Sequence, residues 1–518
     1  MDPLITTFAV LIVAIVLFLS NRLPAPIVAL LVTLALFATG AVTFEQAIAG
    51  FGDPIVIYLA GLFVVSESLE ATGVTAWAGQ QLTRRVGDKR SSVLIALMLL
   101  SALLTALISV NGAVAALVPV GVALAARAKQ PPSQLLLPLA FAAHAGSLLT
   151  MLGTPINVLV SELSVEAGDR AFGFFEFAIV GVPLLVGVVI LCVLLGPRLL
   201  PHRAAQNAPN DLSAYAETIA AEYALSTGDA RIGAEEGVVE VVIPPRSPFL
   251  GAHVFSGMRT ASESLLIAAV HRGGYPLDSA DLQPGDVLVV RGAWSDLESR
   301  ADMAGVISVE SPDRVRRQSV SWSGRATVAV SVLAAMCMLL ATGLVPPSIV
   351  VIGAGVVLVA TRILTIAQAQ RSISLSTLVV VAGMIPLSTA IQTSGAADLI
   401  SDTLLSWFGG SSPTLLLAGI VVVVLVLGQF ISNLATVLIV APIAIAVAHS
   451  AHVSPLPMMM AITIAGAASF LTPVATPGNL MVQEPGGYRF GDYWKLGLPC
   501  LLLFGAVAVF VVPLVWRF

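Results

Sequence analysis

Apolar runs of about 17–25 residues, separated by short polar breaks, fill most of this chain. A helix needs that length to cross roughly 30 Å of hydrocarbon. The pattern predicts crossings near 4–20, 24–41, 54–72, an interrupted 133–163 and 176–199. Later come 326–342, 346–362, 376–392, an interrupted 458–482 and 494–516. Two stretches read as paired arms: 91–127, two arms of about 16 residues around "SVNGA", and 413–449, around "SNLAT".

The second series repeats the first at an offset of 322 (476 − 154). "SLLTMLGTPINVLV" (Ser147–Val160) returns as "SFLTPVATPGNLMV" (Ser469–Val482). Pro24 matches Pro346, Ala60-Gly61 matches Ala382-Gly383, Gly73 matches Gly395 and Asn111 matches Asn433. "ATGAVTFEQA" from Ala38 matches "ATRILTIAQA" from Ala360. Gly181-Val182-Pro183 matches Gly497-Leu498-Pro499 at an offset of 316. Such agreement over about 160 residues marks an internal duplication.

Each copy has five crossings plus a paired segment that returns to its own side. Five is odd, so the second copy starts on the opposite side. With the N-terminus outside, fourteen loop Lys and Arg residues, among them Arg22, Arg84, Arg85, Lys89, Arg90, Arg203 and Lys495, fall on one face. The other face receives only Arg170 and Arg517. The excess predicts that the first face is cytoplasmic and that the duplication is an inverted repeat, as in secondary transporters. Parity leaves open whether each paired segment is a re-entrant hairpin or two full crossings. Short arms and polar turns favour hairpins.

The stretch 201–322 breaks the pattern. "DLSAYAETIAAEYAL" (211–225) has helical spacing, with Leu212, Tyr215, Ile219 and Tyr223 near one face. Strand-like runs follow: "GVVEVVIPP", "SLLIAAVHRGG" and "PGDVLVVRG", the last with a Gly-Asp turn into Val287–Val290. The expected organisation is repeat 1 over 1–200, a small cytoplasmic α+β insert over 201–322, and repeat 2 over 323–518. The fold class is an all-α polytopic membrane protein carrying that insert. Composition agrees: 57 % of residues are apolar, 11 % are charged and mean hydropathy is +0.96, whereas soluble domains carry about 25 % charged residues. Leu4–Leu19 lacks a basic flank and a cleavage site, so it reads as a retained helix. Cys192, Cys337 and Cys500 all lie in apolar runs without metal spacing.

Thr154-Pro155-Ile156-Asn157 reads as a helix start: Thr suits the N-cap, Pro the first turn, and Asn157 then stands third. Crossing four is therefore broken, and crossing nine is broken at Thr476-Pro477-Gly478-Asn479. A Pro kink satisfied by neighbours explains one such break. Two at symmetric places point to a binding site. Free N–H groups and a positive helix end attract an anion, while carbonyls and Asn or Thr oxygens suit Na⁺. The tips carry Ser109, Asn111 and Gly112, or Ser432, Asn433 and Thr436. The expectation is that the first tip meets Thr154, Pro155 and Asn157 and the second meets Thr476, Pro477 and Asn479. Asn111, Asn157, Asn433 and Asn479 are the candidate Na⁺ ligands.

On these tips, the two Thr-Pro-x-Asn breaks and the ending "EPGGYRFGDYWKLGLP" (Glu484–Pro499), the membrane part resembles the divalent anion/sodium symporters of the solute-carrier 13 group. The resemblance implies sulfate or di- and tricarboxylate transport, usually with Na⁺, by an elevator motion against a dimeric scaffold. It also implies a homodimer and maps the tips and breaks onto Na⁺ and substrate sites. Ser109-Val110-Asn111-Gly112 lacks the Ser-Asn-Thr triplet, and Leu434 replaces the second triplet's Thr. Sulfate or another small oxyanion therefore ranks above dicarboxylate. Residues 236–308, through "VVEVVIPPRSPFLGAHV" and "LQPGDVLVVRG", resemble the TrkA C-terminal (RCK-C) domain. That implies a regulatory ligand or a dimer contact.

Two lone residues add candidate chemistry. Glu67 either carries a coupling proton or snorkels to the interface. His144 either faces the cavity or meets a partner oxygen. The leading expectation is an inner-membrane secondary transporter of a small anion, driven by Na⁺ or H⁺, with no other cofactor and no nucleic-acid partner. A Na⁺/H⁺ exchanger using Glu67 and a gated channel are the alternatives. No enzyme is expected, and the phosphate-binding loop of a pump is absent.

Overall fold

In a computed structural model the chain divides into two compact units. One comprises 1–67, 86–208 and 331–518; the other comprises 68–85 and 209–330. The structure describes residues 3–20, 22–87, 89–203, 215–223, 232, 236–260, 264–301, 305–312, 315, 324–396, 399, 403 and 412–518.

The helices follow the hydropathy runs closely. They are α1 (Pro3–Ser20), α2 (Ala25–Ala38), α3 (Phe44–Ala49), α4 (Pro54–Ala71), α5 (Val74–Arg85), α6 (Arg90–Leu107), α7 (Val110–Arg127), α8 (Leu136–Gly146), α9 (Pro155–Glu166) and α10 (Ala178–Leu199). The insert adds α11 (Tyr215–Glu222) and α12 (Trp294–Ala301). Then come α13 (Gly324–Thr342), α14 (Pro347–Ala360), α15 (Ile366–Ser372), α16 (Leu375–Thr393), α17 (Pro413–Leu427), α18 (Asn433–Ser450), α19 (Leu456–Ala467) and α20 (Pro477–Gln483). Finally α21 (Tyr493–Ala506) continues through a π turn into α22 (Val512–Val515). Among the described residues, nine segments are long and apolar enough to cross a membrane, so this is a multi-pass membrane protein.

The duplication is visible in local geometry. α2 and α14 have the same bounds at an offset of 322. Thr43 and Thr365, 322 apart, each close a capping box with the Gln three residues on. The helices also interlock. A Cβ on Gly61 of α4 would stand 2.7 Å from the Val351 side chain of α14, and one on Gly383 of α16 would stand 3.1 Å from Ala29 of α2. Gly61 and Gly383 are twins, and so are Ala29 and Val351. Each copy's α4-type helix therefore packs on the other copy's α2-type helix. Polar side chains are rare in these faces; Thr33 is one, and its Oγ1 donates to the Gly383 carbonyl at 2.8 Å.

Polar residues gather at the two ends of this unit. At one end Arg90 bonds Gln134, whose Nε2 donates to the carbonyls of Leu200 and Pro201 at 3.1 Å each. Arg203 pairs with the buried Asp492 at 2.7 Å, and the Tyr488 hydroxyl donates to the Ser133 carbonyl. The other end holds Arg170 paired with Glu176 at 2.6 Å, the Trp516 indole donating to Glu176, and Ser454 donating to Asp169 at 2.8 Å. The 22 residues of α10, about 33 Å of helix, separate the two gatherings.

The other unit contains an antiparallel sheet in the order β4-β3-β6-β1-β7. These strands are β1 (Glu236–Val242), β3 (Leu265–Arg272), β4 (Tyr275–Leu277), β6 (Val287–Ala293) and β7 (Ile307–Ser308). β2 (His253–Phe255) pairs with β5 (Ser279–Asp281). The three expected strand runs are β1, β3 and β6. Gly285 holds φ +88° at the turn into β6, a conformation open to glycine at little cost. The expected helix face is seen in Tyr215, Ile219 and Tyr223, all in the core; Leu212 lies outside the described residues. The buried Asp286 takes two hydrogen bonds from Arg272, at 2.7 and 2.8 Å, and one from the Gln283 N–H at 2.8 Å. The Arg272 guanidinium holds the Asp286 carboxyl below its ordinary range, against the opposing pull of desolvation. This unit also takes in 68–85, which contains α5. That stretch lies within the 1–200 expected for repeat 1.

Candidate functional site

Both interruptions form as helix starts. Thr154 is extended and caps α9 through its Oγ1, which accepts from Ile156 N, with Pro155 in the first turn. Thr476 caps α20 through the Asn479 N–H, again with Pro477 in the first turn. The loops before them are then tied by the same device. Asn157 Nδ2 donates to the carbonyls of Ser147 and Thr150, both at 2.8 Å. Asn479 Nδ2 donates to those of Ser469 and Thr472, at 2.6 and 3.1 Å. Each Asn is fully buried. It supplies donors to carbonyls that the helix break leaves unpaired.

The glycines of the Gly-x-Pro pairs explain their spacing. A Cβ on Gly181 would stand 2.2 Å from the Leu148 carbonyl oxygen, and one on Gly497 would stand 2.2 Å from that of Phe470. Leu148 and Phe470 are twins. Only a residue without Cβ lets α10 and α21 press against the two breaks.

Each paired segment runs beside the first half of its own broken helix. Ser101 Oγ donates to the Leu139 carbonyl and Thr150 Oγ1 to that of Ala106. In the second copy Thr472 Oγ1 donates to the Gln429 carbonyl, and Gln429 Nε2 to that of Ala468. Each tip therefore ends level with a break. The arms α6, α7 and α18 have 18 residues and α17 has 15, so three are longer than expected.

The tips differ from expectation in two respects. Asn111 and Asn433 are not structural twins. The cap residues Ser109 and Ser432, the internal Pro119 and Pro442, and the left-handed Lys129 and His452 all correspond at 323 (432 − 109). Asn111 is thus the second residue of α7 and Asn433 the first of α18. A one-residue slip between the copies was hidden by a chance match of letters. The second difference is the partner of Asn111. Instead of meeting Thr154–Asn157, its Oδ1 lies 3.8 Å from a Cβ built on Gly478 of the second break. The second arm of each tip crosses over: α7 packs on α20, and α18 packs on α9. An offset tells which residues are equivalent, and says nothing of which ones touch. At the second tip Asn433 Oδ1 accepts from Ser469 Oγ, within its own break. Ser109 and Ser432 serve as N-caps, accepting from the N–H groups of Gly112 and Ala435. Thr436 is fully buried.

His144 meets partner oxygens. Its Nε2 lies 3.2 Å from both Asn479 Oδ1 and Thr476 Oγ1, so a residue of the first copy closes the second break. Glu67 is half-buried on α4, whose Gly61 packs on α14; the breaks are lined instead by α7, α8, α9, α18, α19 and α20. Sequence reasoning missed two supports of the second break, Gln429 and Tyr493, and one anchor at the start of α8, Tyr488. Gln429 ties tip to break, accepting from Leu471 N at 3.0 Å as well as donating. Tyr493 donates to the Asn479 carbonyl at 2.8 Å. Tyr488 accepts from Leu137 N at 2.9 Å. Both tyrosines lie in the "EPGGYRFGDYWKLGLP" ending, and their spacing was the available signal. The gathered groups are neutral: amide oxygens, hydroxyls, helix N-termini and one imidazole. Among the described residues no cluster of His, Cys, Asp or Glu is placed to hold a metal.

A family profile described as citrate transporter, CitMHS, matches residues 15–406 and again 336–518. The chain is 28 % identical to the uncharacterized transporter YfbS of Escherichia coli K12, over 99 % of each chain. It is 26 % identical to the probable sodium/sulfate cotransporter 3 of Chlamydomonas reinhardtii, over 53 % of this chain and 32 % of that one. The crystal structure of the YdaH transporter of Alcanivorax borkumensis aligns with a TM-score of 0.48 at 17 % identity, covering 91 % of this chain and 88 % of that one.

Proposed function

This chain belongs to the citrate transporter family, a transporter and no enzyme, and on that premise we propose that it moves a small anion, a sulfate-like oxyanion or a di- or tricarboxylate, with Na⁺ or H⁺ as the driving ion. The observation that carries the reading is the pair of twin breaks, each faced by elements of the other copy. Neutral amide oxygens and helix N-termini suit a site that takes an anion and a cation together. The relatives' names support the substrate class: citrate for the family and sodium with sulfate for the algal cotransporter.

The same geometry supports inverted repeats. α8 starts at the end holding Ser133 and Gln134, and α9 finishes at the end holding Asp169. α19 starts beside Ser454, which bonds Asp169, and the segment after α20 reaches Tyr488, which bonds Ser133. The two broken helices run in opposite directions. Tips that stop level with the breaks support re-entrant hairpins. The end with Arg90 and Arg203 is the cytoplasmic face of the plasma membrane in this reading, with both chain termini and Arg170 outside. The elevator motion, the homodimer and an RCK-C-type regulatory role for the insert complete the proposal and rest on the family resemblance. A Na⁺/H⁺ exchanger would need an acid at the breaks, and Glu67 stands on another element.

The test is uptake of radiolabelled citrate, succinate and sulfate into proteoliposomes, with Na⁺ and pH gradients imposed separately. Accumulation of one anion under one gradient is expected. No movement of any anion under either gradient would sink the proposal.

A further inference from the structure

The strand register of the sheet-containing unit sorts its side chains onto two faces. Val239 and Val241 of β1 stand opposite Val290 and Leu288 of β6, and Ile267 of β3 stands opposite the same Val290. Cross-strand partners share a face, so these five lie together. Ser308 of β7, opposite Val241, joins them. The other face is already covered: the ring of Tyr223, just after α11, meets that of His271 at 4.7 Å, and His271 pairs with Val287 on that side. Over the first face lies a cavity of about 630 Å³. Leu297 of α12, Met258 and Phe249 line it from outside the sheet. Among the described residues its lining holds no Lys, Arg, Asp or Glu, and its polar members are His253, Thr260 and Ser308. His253 is bonded to Asp281 at 2.9 Å, and Thr260 Oγ1 accepts from Leu265 N at 3.3 Å. The Ser308 hydroxyl is buried and has no partner among the described residues.

A volume of this order is that of a small-molecule pocket, about 300–1,000 Å³. Left dry and empty, it would forfeit about as much stability as a whole small domain has. Water is a poor filling, because a buried water wants about two to four polar partners, and His253 and Thr260 are already engaged. A buried hydroxyl without a partner is costly as well. One kind of molecule answers both: an apolar body that fills the space, with a single donor or acceptor for Ser308. A carboxylate, sulfate or phosphate would meet no cation there and would be desolvated without return. We infer that the insert binds an uncharged, mostly apolar small molecule from solution over its β1–β6 face, with Ser308 as the polar anchor. The ligand is chemically unlike the anion proposed as cargo, so the insert reports on something other than the transported molecule. That consequence rests on the regulatory role proposed for the insert; the binding itself does not.

The experiment titrates the full-length protein in lipid nanodiscs with naphthol, two fused rings bearing one hydroxyl. Hydrogen exchange of the β1 and β6 amides is followed by mass spectrometry. Detergent is left out, because its chains would compete for an apolar cavity. The wild type is expected to show saturable protection of both strands. Naphthalenesulfonate, the same rings with a charge, should give none. Ser308→Ala should weaken naphthol binding about fivefold. Val241→Phe, which grows into the cavity, should abolish it while the sheet keeps its protection without ligand. No saturable protection of the wild type, equal protection by the sulfonate, unchanged affinity of Ser308→Ala, or undiminished binding by a folded Val241→Phe protein would overturn the inference. A bilayer lipid seated in the cavity would exclude naphthol and so counts among the overturning results. No transported anion or ion gradient enters the measurement, so the outcomes separate. Naphthol binding without anion uptake sinks the transport proposal alone, and anion uptake without naphthol binding sinks this inference alone.

Discussion

The second break is tied down more heavily than the first. Both have the Thr-Pro cap, the buried Asn with two carbonyls in its grip and the glycine pressed against the loop. The second adds His144 on Asn479 Oδ1, Tyr493 on the Asn479 carbonyl, and Gln429 between tip and loop. Their counterparts at the first break are Gly466 (offset 322), Phe177 (offset 316) and Ala106 (offset 323), none with a polar side chain. The two frames share cap, asparagine and glycine; the first lacks the added ties, and its Asn157 Oδ1 has no hydrogen-bond partner among the described residues.

The comparison breaks first at the two asparagines. Asn479→Leu strands two buried carbonyls and leaves His144 Nε2 with Thr476 Oγ1 alone, which should cost ~3–4 kcal/mol; Asn157→Leu strands only the carbonyls and should cost ~2–3 kcal/mol. Thermal unfolding in detergent measures both, and equal losses would erase the asymmetry. The glycines test the shared frame. Gly181→Ala and Gly497→Ala should each cost roughly 2–3 kcal/mol by overpacking, and equally, since each Cβ would meet a carbonyl oxygen at 2.2 Å. A large difference would mean that the frames have diverged. Tyr493→Phe, which makes the second break like the first at that point, should cost ~1 kcal/mol.

The smallest effect belongs to the sheet-containing unit, outside the comparison of breaks. The folded Asp286 carboxyl titrates below its ordinary value of 3.8. Its stabilising share is therefore complete above that value and is lost as pH falls through the folded, lower one. Arg272→Gln should raise the pH at which the β6 amides lose protection in hydrogen exchange on the full-length chain. An unchanged acid midpoint would remove the ion pair from the account.

How much of this was legible beforehand follows from the kind of signal involved. Thr154-Pro155 and Thr476-Pro477 could be placed because capping is local chemistry, fixed by the residues themselves. The sheet strands could be placed because their apolar runs and the Pro-Gly-Asp turn are local too. The crossing of α7 to the second break and of α18 to the first was not legible, since self-similarity carries no information on contact. Asn111 and Asn433 misled because identical letters lay one residue apart in structure; Ser109 with Ser432 and Pro119 with Pro442 gave the true register. His144 was visible as an isolated polar residue in an apolar run, but its partner lies 335 residues away.

The most direct test of the account is anion uptake by proteoliposomes holding the wild type, Asn111→Ala, Thr154→Val or the distant capping variant Thr43→Ala. The account predicts that one of citrate, succinate or sulfate accumulates under a Na⁺ or pH gradient. Asn111→Ala and Thr154→Val should reduce that uptake by tenfold or more, while Thr43→Ala retains it. Undiminished uptake by correctly folded tip and break variants would contradict the claim that the breaks form the transport site.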